Sequence, residues 1–344
     1  MDDKSFQALI DALVRELEAP AAATAGAAPS APTRPAAAPG TAAPGTAAPN
    51  RPASAAPGAA ATAPAQPAAA ASRAHNAPPA ERAAIELDLG DLGDQARRRS
   101  PGLRNAVDPE GLAALVASTS ARLGGGRAGP RLRTRDYLVF RSDLAVSKDA
   151  LGRDVDPALL EEFGLFAVQT RVEGGLDEYL LRPDLGRRLG EEAAKTIAER
   201  CVKKPDIQLC VGDGLSARAI EANLRKIFPV IRAGCEAAGL GMGTPFFIRR
   251  CRVGVMNDIG DLLEPRVLIL LIGERPGLGR ADSMSAYMAY RPRTGHTDAD
   301  RDVICNIYDG GGTNPLEAGA YALRLAQKMI ERGASGVKLR LQGE

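Results

Sequence analysis

Apolar positions fall into two patterned regions separated by a stretch with no period at all. Residues 1–18, MDDKSFQALIDALVRELE, place Phe6, Leu9, Ile10, Leu13, Val14 and Leu17 three and four apart. That is one stripe of an amphipathic helix, with Asp2 and Asp3 where a helix start favours negative charge. From Ala19 to Ala80, 30 Ala and 13 Pro occupy 62 positions. Proline forbids a continuous helix there, and alanine offers too little apolar area to offset ordering entropy. Helical spacing returns at Asp91–Arg99 and at Pro109–Leu123, the latter followed by Gly124, Gly125 and Gly126.

From Leu176 the pattern alternates. Pro183–Lys203 reads as a helix with Leu185, Leu189, Ala193, Ile197 and Cys201 on one face. Ile207–Val211, Phe246–Ile248, Val267–Ile272, Ser285–Tyr290 and Val303–Tyr308 read as strands, and Ala217–Ala238 and Leu316–Arg332 as helices. The run VLILLI has no polar alternation, which predicts a strand covered on both faces. The expectation is an α/β, Rossmann-like fold with a mostly parallel sheet and flanking helices, preceded by a smaller mainly helical region and a disordered Ala/Pro tether. It divides the chain into a docking or targeting helix (1–18), a linker (19–80), a smaller helical domain (81–175) and the Rossmann-like domain (176–344).

In such sheets ligands bind beyond the carboxyl ends of the strands. Three glycine-rich loops fall there. Gly212-Asp213-Gly214-Leu215-Ser216 offers Ser216 as a helix N-cap and Asp213 as an acceptor for a ligand hydroxyl or amide. It also fits the loose G-x-G-x-x-A dinucleotide pattern with Ala217, a weak signal by itself. Gly273-Glu274-Arg275-Pro276-Gly277-Leu278-Gly279 follows the most apolar strand, its glycines leaving backbone open to a ligand and Glu274 adding a charged acceptor. Gly310-Gly311-Gly312-Thr313 precedes the last helix. A carboxylate where a phosphate would need a base favours a large, neutral, amide-rich ligand.

Composition narrows the chemistry. The formal charge is +2, and residues 81–344 hold 39 Lys+Arg against 37 Asp+Glu. Five arginines between Arg127 and Arg141 form a basic run, but Asp136 and Asp143 interrupt it, so nucleic acid is not an expected partner. Of two histidines, His75 lies in the Ala/Pro stretch, leaving His296, expected to be exposed. One imidazole cannot build a His-rich zinc site or a two-His iron site, so any reactive group must come from elsewhere. Cys201, Cys210, Cys235, Cys251 and Cys305 contain no C-x-x-C and read as reduced, mostly buried thiols. The longest apolar run is too short to span a bilayer, and acids stand where a secretory signal carries bases. A soluble cytoplasmic protein with no membrane partner is expected.

The segments RAGPRLRT (127–134), SKDAL (147–151), RPDLGRRL (182–189), DGLSA (213–217), GTPFFIR (243–249), LLIGERPGLGRADS (270–283), CNIYDGG (305–311) and LRLAQKMIERGASGVKL (323–339) together resemble the light (small) subunit of ethanolamine ammonia-lyase. The resemblance implies an adenosylcobalamin-dependent lyase that converts ethanolamine to acetaldehyde and ammonia. A separate large (heavy) subunit would supply the substrate site and most catalytic groups. The light chain would cover the cobalamin at the interface, with no catalytic residue or metal ligand of its own. Carried over by position, Val253 in CRVGV and Glu274 in GERPGLG look like cobalamin contacts. The family's third contact is a Cys shortly before an Asn-Ile step. A register counted from Asn306 puts Val303 there, while Cys305 is the nearby cysteine, and either fits. The long tether departs from the family core. Because ethanolamine-using enzymes are often enclosed in bacterial microcompartments, residues 1–18 are expected to address the chain to a shell protein. The rival readings are a non-catalytic cobalamin- or nucleotide-binding module and a microcompartment scaffold.

Overall fold

A computed structural model describes residues 100–119, 121–278 and 280–342. The expected helices at 1–18 and Asp91–Arg99 and the 19–80 linker lie outside the described residues.

The main sheet has six strands in the order β3-β5-β4-β6-β7-β8. These are β3 (Phe166–Gln169), β4 (Ile207–Gly212), β5 (Phe246–Arg249), β6 (Val267–Gly273), β7 (Met284–Tyr290) and β8 (Asp302–Ile307). β3, β5, β4 and β6 are mutually parallel, whereas β7 runs antiparallel to both β6 and β8. A separate two-stranded hairpin, β1 (Arg127–Ala128) with β2 (Arg131–Leu132), precedes the helix Thr134–Gly152.

All seven residues of β6 are buried, as its lack of alternation predicts. Leu209, Val211, Ile269 and Leu271 face one core, with the helices Ala217–Ala237 and Pro315–Arg332. Cys210, Leu268, Leu270 and Ile272 face the other, with Glu191–Arg200 and Met256–Leu263. Each fully buried Leu or Ile contributes roughly 1.5–3 kcal/mol relative to exposure. Ile220, Leu224, Ile227, Phe228, Ile231 and Cys235, at spacings of three and four, form the buried stripe of the longest helix. Ser216 caps it by accepting from the Ala219 amide at 3.3 Å. Asn314 caps Pro315–Arg332, and Gly333 ends it in the left-handed conformation (φ 63°).

Three elements differ from expectation. β3 lies upstream of Leu176, and its four residues bury only Val168, too little for a period to register. Pro183–Lys203 is not one helix but a short 3-10 turn, Leu185–Arg187, followed by Glu191–Arg200. Leu189 breaks it by bridging to Thr170 and donating its amide to Asp258 at 2.9 Å. The Pro109 helix stops at Ser118, where Thr119 turns extended, before reaching the glycines. None of its residues is buried, so tertiary packing does not extend it.

β4 sits between β5 and β6, and the chain passes from β4 to β5 through Ala217–Ala237 on one face and from β5 to β6 through Met256–Leu263 on the other. The crevice beyond the carboxyl ends of these three strands is a topological switch point, where α/β sheets bind ligands.

Candidate functional site

A cavity of about 280 Å³ opens in that crevice. Gly214 and Leu215 line it after β4, Cys251, Arg252 and Val253 after β5, and Gly273, Glu274 and Arg275 after β6. Ser285 and Tyr287 of β7 and Cys305 of β8 complete the wall.

The loop after β4 is the frame. A Cβ on Gly214 (φ 56°) would stand 2.2 Å from the Gly273 carbonyl oxygen, and one on Gly273 would stand 2.2 Å from that of Ser216. The two glycines therefore let neighbouring loops interlock. The Leu215 amide donates to Gly273 O at 3.0 Å, and the Ser216 hydroxyl donates to the Ala281 carbonyl. A dinucleotide pyrophosphate would need these amides and this space, so the G-x-G-x-x-A resemblance does not extend to the structure.

Asp213 is likewise not a ligand acceptor. It is buried, and its carboxylate accepts from the amides of Arg250 at 2.7 Å and Cys251 at 2.9 Å. Those bonds hold Arg250 at φ 56°, a left-handed conformation that costs a side-chain-bearing residue on the order of 1 kcal/mol or more. The turn carries the chain from β5 to Val253. Burial, the largest cause, raises the Asp213 carboxyl to about 6 against the backbone donors that lower it. The Tyr179 hydroxyl lies 2.6 Å from the carbonyl oxygens of both Gly214 and Cys251 and ties the same two loops. Burial raises its phenol far above the ordinary range, so it stays protonated.

Glu274 is presented differently. Half-buried at the end of β6, its carboxylate accepts from the hydroxyls of Ser283 and Ser285, each at 2.5 Å, and from the Asn306 amide at 2.8 Å. Two of those bonds fall on Oε1 and one on Oε2. A carboxylate has roughly four acceptor positions, so Oε2 keeps capacity for one more donor.

Asn306 reaches Glu274 because β8 bulges. Met284 pairs with Ile307 and Ala286 with Ile304, leaving Cys305 and Asn306 together opposite Ser285. Asn306 takes φ 56° at this step. The bulge also turns the exposed Cys305 thiol toward the cavity. Val303, 45% exposed and paired with Tyr287, lies further along β8 and does not line it. Val253 begins a 3-10 turn, Val253–Val255, and gives the cavity a half-buried apolar wall. The structure thus brings Val253, Glu274 and Cys305 together and leaves Val303 outside. The Gly310–Thr313 loop is also outside. The Thr313 amide donates to Asn306 O at 2.8 Å and the Tyr308 amide to Thr313 O at 3.1 Å, so that loop shapes the end of β8.

A model of the ethanolamine ammonia-lyase light chain (EutC) family matches residues 109–340, which include every residue of the cavity. The chain belongs to that family. For the cobalamin that the ethanolamine ammonia-lyase family implies, the donor set fits. One fixed carboxylate with spare acceptor capacity suits an amide N–H, and Val253 with Tyr287 suits an apolar edge. The residues that sequence reasoning missed are Ser283, Ser285, Asn306 and Tyr179. Ser283 and Ser285 return to Glu274 across the turn between β6 and β7, the β8 bulge brings in Asn306, and Tyr179 reaches in from the helix Gly175–Leu181, none of which a local pattern reveals. His296, expected to be exposed, is half-buried in an adjoining cavity, and burial lowers its imidazole below the ordinary value. Among the described residues no helix is long and apolar enough to cross a membrane. No group of three or more His, Cys, Asp or Glu among them is arranged to hold a metal ion.

Proposed function

We propose that this chain is the light subunit of an adenosylcobalamin-dependent ethanolamine ammonia-lyase, and that its switch-point cavity covers part of the cobalamin at the interface with the large subunit. The observation that carries the reading is the Glu274 carboxylate, fixed by three donors and open to a fourth. Bound at such a site, the cofactor supplies radical chemistry through cobalt–carbon homolysis. This chain's residues bind and orient it: Glu274 accepts a hydrogen bond from a side-chain amide of the corrin, while Val253 and Cys305 pack against its edge. Val303 stands far enough along β8 to touch the large subunit instead.

The test is to mix the chain with a large subunit and titrate the complex with cobalamin, following the bound corrinoid's visible spectrum. Binding requires both chains, and Glu274→Ala weakens it about tenfold, the range of a hydrogen bond to a charged group. Unchanged affinity in the variant overturns the role of Glu274. Failure of the chains to copurify and to release ammonia from ethanolamine overturns the reading.

The proposal extends to residues 1–18 as the address to a bacterial microcompartment shell. A fluorescent protein fused to residues 1–20 gathers into foci in shell-producing cells if this holds and stays diffuse if it does not.

A further inference from the structure

A second cavity, of about 730 Å³, adjoins the first and shares Arg252, Val253 and Tyr287 with it. Its wall is strongly cationic, with Arg171, Arg187, Arg188, Arg252 and Arg301 against Asp184 and Asp298. Several of these charges are already matched. Arg188 pairs with Asp258 at 3.2 Å and Arg301 with Asp298 at 2.6 Å, while Asp184 is taken by Arg182 at 2.8 Å. Arg171, Arg187 and Arg252 have no carboxylate partner within salt-bridge distance among the described residues.

Burial adds an independent sign. Arg301 is 9% exposed, yet its Nε has no hydrogen-bond partner, although its two terminal nitrogens bond Asp298 and Asn257. Arg252 Nε and His296 Nδ1 are also buried without partners. Arg252 is fixed in place by stacking 4.1 Å over the Tyr179 ring and donating from Nη2 to Tyr179 O at 3.0 Å. These three buried nitrogens leave the wall under-satisfied, which an anion in the cavity offsets through the electrostatic field and not by touching them. Guanidinium forks match the geometry of phosphate oxygens.

We infer that this cavity is a phosphate-ester subsite that holds the phosphodiester in the nucleotide tail of the cobalamin covered by the Glu274 cavity. The inference rests on the proposed function, because it needs the corrin to lie against Glu274. Arg252 and Val253 then form the wall between the two parts of one ligand. Glu274 reads the corrin amides, and Arg171, Arg187 and Arg252 neutralise the tail. A phosphate ester from a free source shares the same chemistry, and the test separates the two.

The test uses the assembled two-chain complex and two corrinoids: cyanocobalamin, and dicyanocobinamide, which lacks the phosphodiester and base. Arg187→Gln and Arg171→Gln each remove an exposed side chain of the cationic wall that does not line the Glu274 cavity. Each variant is expected to weaken cyanocobalamin about tenfold, the scale of one charge-assisted hydrogen bond, and to leave dicyanocobinamide unchanged. Glu274→Ala is expected to weaken both corrinoids alike. Loss of both corrinoids in the arginine variants, or of neither, overturns the subsite while the Glu274 reading stands. Weaker copurification with unchanged discrimination also overturns it, because the arginines would then face acidic groups of the large subunit. If inorganic phosphate binds the corrinoid-free complex by phosphorus-31 NMR and competes with cyanocobalamin, the subsite is supported. If it binds without competing, the site belongs to free phosphate and the cofactor assignment fails. A complex that binds neither corrinoid removes the underlying function instead.

Discussion

The loops after β4 and β6 look alike in sequence, each with glycines directly after an apolar strand, yet they serve different ends. In the first, the space left by Gly214 is filled by the neighbouring loop, as is that left by Gly273 where the second begins, and its carboxylate, Asp213, is consumed by two backbone amides in the interior. In the second, Glu274 is held by the protein but keeps an open position at a cavity wall. A glycine-rich loop is therefore a sign of close approach, and only the third dimension says whether protein or ligand approaches. The first loop is a frame, and the second presents a group held by that frame.

The most severe way to break this comparison is to add one methyl group to each loop. Gly214→Ala places a Cβ 2.2 Å from a carbonyl oxygen at a positive φ, and is expected to destabilise the chain by about 3 kcal/mol or more. Gly277→Ala, in the second loop, meets only Arg280 O at 3.9 Å and is expected to cost less than about 0.5 kcal/mol. Urea unfolding of both variants checks the pair. Similar costs would mean that the loops do not differ as described.

A smaller perturbation tests the two carboxylates. Asp213→Asn keeps one acceptor oxygen but turns an NH2 toward the second backbone N–H, and is expected to cost about 1–3 kcal/mol. Glu274→Gln, half-buried beside hydroxyls that can reverse their bonds, is expected to cost about 1 kcal/mol or less. The first cost should also vary with pH. The folded carboxyl of Asp213 is raised to about 6 from an ordinary 3.8, so the folded state binds the extra proton. Its stabilising contribution is complete below the unfolded value and is lost as pH rises through about 6. The gap between wild type and Asp213→Asn is therefore expected to be wider at pH 5 than at pH 7.5. A narrower gap at pH 5 would mean that the amide bonds outweigh burial.

What could be read along the chain follows the same division. Val267–Ile272 announced a buried strand because two covered faces leave no polar alternation, and the structure extends it only to Gly273. Asn314, Ser216 and Gly333 mark helix ends through local chemistry, and Ser216 caps as expected. β3 gave no signal because one buried valine makes no period, and the break at Leu189 depends on Thr170 and Asp258, far away in sequence. The site was legible in part. Glu274 stood out as a charge after the most apolar strand, whereas Ser283, Ser285 and Asn306 act through strand register and a bulge. Asp213 was misread because a sequence does not say which backbone amides will surround a carboxylate.

The smallest effect sharpens the choice between Val303 and Cys305. The bulge turns Cys305 into the cavity wall and leaves Val303 outside, so only the cysteine should feel a bound corrinoid. Cys201, Cys210, Cys235 and Cys251 are buried, which makes Cys305 the thiol open to reagent. Iodoacetamide is expected to label Cys305 in the corrinoid-free complex, and added cobalamin to slow that labelling several-fold. Val303→Ala, by contrast, trims an already exposed side chain and is expected to change corrinoid affinity less than about twofold, within the usual range for such surface changes. Unslowed labelling of Cys305 together with a clear affinity loss in Val303→Ala would move the contact two residues up β8. The bulge would then serve only to deliver the Asn306 amide to Glu274.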